Sequence, residues 1–177
     1  MRVKYDRVFS DITPGRPPDR GIENIIELEE GAKLVIVTPY KNPKRLKDEI
    51  DKTTKELLAM GHIRPRNSPF ASLIVMVKKK DGTLRMCIDY RVLNKRTIKN
   101  RYPIQWIDEL IDELHSACYF TKIDLRSGYH KIRVREQDIE KTAFRCHCGN
   151  FDFVVMPFGL NNVPATFQSI MNRVFRH

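Results

Sequence analysis

The stretch Thr121-Lys122-Ile123-Asp124-Leu125-Arg126-Ser127-Gly128-Tyr129-His130 decides how this chain is to be read. At a period of two, Thr121, Ile123 and Leu125 face one way, and Phe120, Lys122 and Asp124 face the other. That is the pattern of a strand with one buried side and one carboxylate directed into a cleft. Arg126-Ser127-Gly128 then breaks the strand, and Tyr129 follows as a rigid plate a few residues from the acid. A single aspartate at a strand end is more often solvated than functional, although strand ends and the loops after them collect site residues. The rest of the chain weighs between the two.

A length of 177 residues suits one domain with its own core, or a large piece of a two-lobed one. The hydrophobic fraction, 41%, excludes a disordered polymer. The net charge is +10 and unevenly spread: between residues 64 and 101, eleven Lys and Arg stand against Asp81 and Asp89 alone. A polyanion partner is the economical reading, nucleic acid ahead of membrane, with a solvated basic face as the alternative. The charged N-terminus does not read as a signal peptide, and the longest uncharged apolar run, Ala71 to Val77, is too short to cross a bilayer. The cysteines Cys87, Cys118, Cys146 and Cys148 read as free thiols of a reducing compartment. Cys146-His147-Cys148 lacks the wider spacing and second pair that zinc favours, so a structural use is expected.

Taken in order, residues 10–43 form an extended arm punctuated by Pro14, Pro17, Pro18, Pro39 and Pro43, a strap across the outside of the fold. Pro43 opens a helix to about Met60, where Gly61 stops it; Leu46, Ile50, Leu57 and Leu58 make its apolar stripe. Ser72 to Val77 and Thr83 to Tyr90 pair as a hairpin about Asp81-Gly82, with Lys78, Lys79 and Lys80 at its tip. Those lysines are either a solvated tip or a finger for phosphates. Ile104, Ile107, Leu110, Ile111 and Leu114 mark a helix of about three turns. Ile132 and Val134 alternate with Lys131, Arg133 and Arg135 as a strand, and Gly149-Asn150 is the expected turn of a further hairpin. From Pro164 to Arg176 the chain is helical, with Phe167, Ile170, Met171, Val174 and Phe175 on its apolar face. Helices and hairpin-paired strands interleave, so the class is α+β.

Four stretches carry a resemblance. They are Val77 to Gly82 (VKKKDG), Arg85 to Lys95 (RMCIDYRVLNK), Lys122 to His130 (KIDLRSGYH) and Met156 to Gln168 (MPFGLNNVPATFQ). Together, in this order, they resemble reverse transcriptases, in the flavour of gypsy-type LTR retrotransposon polyproteins. Pro17-Pro18-Asp19-Arg20-Gly21-Ile22-Glu23 is similar to the segment that joins the preceding protease to the polymerase in that family. The resemblance covers residues 8–176.

The resemblance implies a right-hand polymerase fold, fingers plus the first half of the palm, with an antiparallel sheet packed on helices. Residues 1–43 would be the connector arm, 44–103 the fingers with their basic hairpin, and 104–177 a partial palm. It implies two Mg2+ ions, with Mn2+ as an alternative, and nucleotidyl transfer from deoxynucleoside triphosphates onto a DNA primer along an RNA template. Asp124 matches the first metal-binding aspartate and the Leu125 carbonyl a second ligand, followed by Arg126 beside the nucleotide. Tyr129 matches the plate under the nucleotide sugar, Arg85 the fingers arginine at the triphosphate, and Lys79 or Lys80 its lysine partner. Phe158 and Gly159 match the loop shaping the nucleotide pocket. Lys78, Asp89, Arg91, Asn94, Lys95 and Gln168 fall on positions that face template and primer. The implied partners are RNA template, DNA primer, RNA–DNA hybrid and the remainder of the pol polyprotein, with no membrane. The implied location is the cytoplasm, within a virus-like particle, with the nucleus as a second station and no secretion.

Some positions depart from the family pattern. Asn161 and Val163 replace an expected threonine and alanine, Val163 adding two methyls where backbones and nucleic acid come close. Leu34-Val35-Ile36-Val37 replaces a proline-rich stretch, and Cys146 and Cys148 stand in a hairpin usually free of cysteine. The family's second carboxylate motif, Tyr-x-Asp-Asp, does not occur in these residues. Asp89, Asp138 and Asp152 are expected to be structural or solvated rather than its substitutes. The chain alone is therefore expected to be catalytically incomplete, a segment of a polymerase. The alternative is a non-catalytic relic that only binds nucleic acid.

Overall fold

The computed structural model describes residues 14–32, 43–66, 68, 70–100, 102–103, 107–122 and 124–175. Helix α1 (Lys44–Ala59) follows Pro43, and the chain turns away at Gly61, whose φ of +67° suits a residue without a Cβ. Its face carries Ile50 fully inside, onto the sheet.

Five strands form one sheet: β1 (Ile63–Pro65), β2 (Ser72–Lys78), β3 (Leu84–Asp89), β4 (Phe144–Cys146) and β5 (Gly149–Phe153), in the spatial order β1-β5-β4-β2-β3. The expected β2–β3 hairpin is present, Leu73 opposite Asp89 and Lys78 opposite Leu84. Its turn is closed locally, because the Asp81 carboxylate accepts from both the amide and hydroxyl of Thr83 while Gly82 sits at φ +82°. The sheet is mixed rather than wholly antiparallel, for β2 and β4 run parallel. A parallel pair requires a long crossover, and here residues 79–143 separate the two strands. β4 and β5 lie beyond residue 104, yet they pair with β1 and β2, so the sheet joins both sides of the expected fingers–palm boundary.

One core cluster sits between α1 and the sheet, around Ile50, Ile74, Ile139, Phe144, Phe151 and Phe153. A second gathers Tyr90, Leu93, Ile132, Met156 and Leu160 against Ile170 of the last long helix, here α4 (Val163–Phe175). The short helix α2 (Arg91–Asn94) supplies Leu93 to it. Tyr90, fully buried, donates its hydroxyl to the Thr142 carbonyl at 2.8 Å and so joins the two halves.

The arm is more than an outer strap. Asn24 and Ile26 are buried, and the Asn24 backbone pairs with Arg133 and Arg135. The fully buried Asp138 carboxylate accepts the Ile26 amide at 3.0 Å and is neutralised by Arg135 and Lys141, while Lys141 also donates to the Ile26 carbonyl. Burial by itself would raise the Asp138 pKa, but the hydrogen bonds from Arg135, Lys141 and the Ile26 amide hold it below the ordinary value. The Leu34–Val37 stretch lies outside the described residues.

Elsewhere the structure corrects the sequence pattern. The strand expected over 120–125 does not form among its described residues, where Phe120, Lys122, Asp124 and Leu125 are all exposed. A strand must exchange backbone hydrogen bonds with a neighbour, and no described strand lies beside it. Of the helix expected from Ile104, residues 104–106 lie outside the described residues; α3 (Ile107–Glu113) makes up the described part, with Ile111 exposed and Leu114 exposed just beyond it. Ile132 and Val134 are buried as expected but form only isolated bridges, to Asn24 and Val155 through Val134 and Arg133.

The β4–β5 turn falls on His147-Cys148, two residues before the expected Gly149-Asn150. That register sets Phe144 opposite Phe151 with ring centroids 5.7 Å apart, so aromatic pairing outweighs the turn signal. Val163 points into the second core rather than toward the nucleic-acid side. On α4, Ile170 is buried whereas Val174 and Phe175 are exposed.

Candidate nucleotide and nucleic-acid site

Three separate stretches converge at one place. Tyr129 lies in a single 3-10 turn, Gly128–Lys131, entered through Ser127 in the left-handed region at φ +51°. Its ring meets Phe158 at 4.9 Å and, edge-on, Phe167 of α4 at 5.0 Å. The Arg85 guanidinium, from β3, lies over the Phe158 ring with its carbon 4.7 Å from the centroid. Gly128 is packed so closely that a Cβ there would come within 3.2 Å of Phe167.

The loop bearing Phe158 is held from below. Gly159 has φ +95°, and its carbonyl accepts from the Asn94 side-chain amide at 2.7 Å. Asn161 donates its amide to Asn94 Oδ1 and its side chain to the Asn94 carbonyl. Asn162 accepts from the Asn100 amide and donates to the Ile98 carbonyl. Asn161, where a threonine was expected, is therefore part of the fastening.

Two histidines lie behind this stack. His130 lies 4.7 Å from His62 between ring centroids, and makes a T-shaped contact with Phe158 at 5.6 Å. Burial, with the charges of His62, Arg85 and Lys131, lowers the His130 pKa from the ordinary 6.5 to about 4. Burial and Lys131 lower His62 as well. Both imidazoles are thus neutral at neutral pH, which spares the site two further positive charges beside Arg85.

The remaining expected site residues lie on separate elements. Lys78, Lys79 and Lys80 are exposed at the hairpin tip; the Lys79 backbone closes the turn to Thr83 and Gly82. Asp89 is engaged by Arg91, whose side chain binds both its oxygens at 2.7–3.1 Å, and those hydrogen bonds hold its pKa down. Lys95 is exposed, and Gln168 on α4 donates to Asn172, which donates in turn to the Tyr102 hydroxyl. Asp124, Leu125 and Arg126 lie on the exposed segment, where the Leu125 carbonyl accepts the Gly128 amide at 3.1 Å. A carbonyl has a second lone pair, so that bond leaves it able to ligate.

The metal chemistry can be tested against these residues. Mg2+ takes six oxygens in an octahedron, and two ions need several shared carboxylates. Among the described residues no group of three His, Cys, Asp or Glu side chains converges. Asp138 is held by Arg135, Lys141 and the arm, and Asp152 is buried within β5, so neither can supplement Asp124. Asp124 and the Leu125 carbonyl do not by themselves fit a two-ion site. Cys146 and Cys148 likewise form no metal cluster; Cys146 donates to the Gly149 carbonyl, and burial together with Cys146 pushes the Cys148 thiol up to about 12.

His62, His130 and Asn161 carry little sequence signal as members of this site. His130 adjoins Tyr129, but His62 comes from the residue just before β1 and only the fold brings it near.

Comparisons with known proteins bear on the family and the fold. The sequence profile of the family described as reverse transcriptase (RNA-dependent DNA polymerase) matches residues 77–177. The chain is 39% identical over 173 residues to the retrovirus-related Pol polyprotein from transposon 297 of Drosophila melanogaster, covering 85% of this chain and 16% of that protein. It is 38% identical over 157 residues to the transposon Tf2-3 polyprotein of Schizosaccharomyces pombe, covering 89% and 12%. The chain thus spans less than a fifth of these polyproteins. Its fold superposes on the prototype foamy virus protease–reverse transcriptase with a TM-score of 0.83 and 24% identity, over 99% of this chain and 24% of that one. It also superposes on the foamy viral protease–reverse transcriptase in complex with an RNA/DNA hybrid, with a TM-score of 0.73, 21% identity and coverage of 88% and 21%. The chain belongs to the reverse transcriptase family.

Proposed function

We propose that this chain forms the fingers and the first part of the palm of a gypsy-type LTR retrotransposon reverse transcriptase, working as one segment of its pol polyprotein. The convergence of Arg85, Phe158 and Tyr129 from three stretches carries the reading, since it sets a fixed cation beside two aromatic plates. In this reading Arg85 receives the triphosphate, helped by Lys79 or Lys80, because a planar, permanently charged fork suits phosphate oxygens. Tyr129, wedged between Phe158 and Phe167, is too firmly packed to yield and closes the space a ribose 2′-hydroxyl would need. Lys78, Lys95 and Gln168 lie toward template and primer, and the foamy viral relative solved with an RNA/DNA hybrid supports a hybrid as the substrate.

Divalent ions, Mg2+ first and Mn2+ as the alternative, would be held by Asp124 and the Leu125 carbonyl together with carboxylates supplied by the rest of the polyprotein. The 177-residue chain by itself then extends no primer. Primer extension on an RNA template checks this. The chain alone gives no product, and a longer polyprotein segment carrying Tyr-x-Asp-Asp gives product that Asp124→Asn removes. Metal-dependent extension by this chain alone, lost in Asp124→Asn, would overturn the reading.

A further inference from the structure

Phe158 is a large apolar side chain left 44% exposed, yet its place is fixed from several directions. Tyr129 lies against it at 4.9 Å, His130 meets it edge-to-face at 5.6 Å, and the clasp between Asn94 and Gly159 holds the adjoining backbone. A Cβ on Gly159 would stand 3.4 Å from the Ile88 carbonyl, so the loop also rests on the end of β3. The Arg85 guanidinium lies over this ring, its carbon 4.7 Å from the centroid. Among the described residues no carboxylate engages Arg85. A guanidinium held over a ring by cation–π attraction, with no carboxylate on it, keeps N–H donors available to grip phosphate oxygens.

We propose that Phe158 is a positioning residue for Arg85: it docks the arginine of the β2–β3 hairpin in advance, donors outward, and thereby sets the affinity of the site for polyphosphate. The proposal rests on the assignment of Arg85 to the triphosphate. An arginine on a free hairpin would lose several rotors when it bound phosphate, and stacking removes that cost beforehand. The neutral His130 is part of the device, for an imidazolium 5.6 Å from the Phe158 centroid would oppose the guanidinium over that ring.

The test uses the 177-residue chain and inorganic tripolyphosphate, titrated at fixed ionic strength without divalent metal, with the Arg85 Nε–H followed by NMR. Phe158→Met keeps the bulk and removes the π-face. It should weaken binding about two- to fivefold, the size expected for an exposed cation–π contact, and move the Arg85 resonance out of the ring-current field. Phe158→Trp should restore or exceed the original affinity. Binding in Phe158→Met equal to that of the parent, with an unmoved Arg85 resonance, overturns the proposal while leaving Arg85 in its role. Unchanged binding in Arg85→Ala overturns the assignment of Arg85 to phosphate, and the proposal with it. Should Phe158→Met not fold, Phe158→Trp decides: weaker binding with the stack intact overturns the proposal.

Discussion

Asn161 is fastened to Asn94 twice: its amide donates to Asn94 Oδ1 at 3.0 Å, and its side chain donates to the Asn94 carbonyl at 2.8 Å. With the bond from Asn94 to the Gly159 carbonyl, one side chain at the end of α2 fastens the loop that carries Phe158. Asn94→Ala should therefore cost about 0.5–1.5 kcal/mol, the net range for hydrogen bonds whose partners can turn to water. Asn161→Thr should cost less than about 1 kcal/mol, because the backbone bond survives and a hydroxyl can still donate. Urea unfolding of both variants, with amide exchange at Asn161, reads the difference; equal costs would show that the loop is held elsewhere.

Asp138 makes the arm part of the fold. Asp138→Asn keeps the size but leaves Arg135 and Lys141 facing a neutral amide in a fully buried site. Breaking a buried ion cluster on one side costs about 3–5 kcal/mol. The expected result is a markedly lower urea midpoint, with early loss of protection at the Ile26 amide, which donates to the same carboxylate. A variant with the parent's midpoint would assign the arm's attachment to the backbone bridges at Asn24 instead.

His130 gives stability a pH dependence whose sign follows from its displaced pKa. Folded, it stays neutral down to about 4 with His62, Lys131 and Arg85 around it; unfolded, it takes a proton near the ordinary 6.5. Between those values the unfolded chain binds more protons, so acid favours unfolding. The contribution is complete above pH 6.5 and is lost as pH falls toward 4. At about 1.4 kcal/mol per tenfold change in proton affinity, the loss amounts to about 2–3 kcal/mol. Asp152, raised by its burial, works in the opposite direction at the acidic end. The informative quantity is thus the stability difference between the parent and His130→Gln across pH 4–7. That difference should shrink as acid removes the parent's advantage; a constant difference would assign the acid sensitivity to other groups.

The basic hairpin tip should govern salt dependence. Each lysine that neutralises a phosphate adds about 0.7–0.9 to the log–log slope of binding against salt. Lys78, Lys79 and Lys80 are all exposed at the tip, so replacing all three by alanine should lower that slope by about 2 for an RNA–DNA hybrid. Fluorescence anisotropy over a salt series measures it, and an unchanged slope would place the contacts elsewhere.

What the sequence made legible were elements with local causes. Helix α1 lies between Pro43 and Gly61, and the β2–β3 turn is closed by Asp81, Gly82 and Thr83. Arg85, Tyr129 and Phe158 are candidates carried by the family resemblance, whereas their stacking has no sequence signal, because it depends on contacts between distant stretches. For the same reason, the β4–β5 turn obeyed the pairing of Phe144 with Phe151 rather than its own glycine, and Val163 answered to the core. The His62–His130 contact has no local signature at all.

The segment bearing Asp124 is the clearest case. Its alternation states which side would be buried, but burial needs a partner, and among the described residues none is supplied. Tyr119 is 95% exposed, Phe120 68% and Leu125 47%, an apolar run of the kind that pairs with other chains. Covering a few hundred Å2 of apolar surface is worth roughly 5–10 kcal/mol at about 25 cal/mol per Å2, comparable with the stability of a whole domain. Lengthening the chain by the next ~60–80 residues of a reverse transcriptase palm, a size taken from ordinary domains, should therefore order this segment. The expected outcome is slowed amide exchange at residues 119–122 and 124–125, together with a higher thermal transition and less aggregation. If those amides exchange slowly already in the 177-residue chain, or stay fast after the extension, the Asp124 segment is not a palm strand awaiting its neighbours.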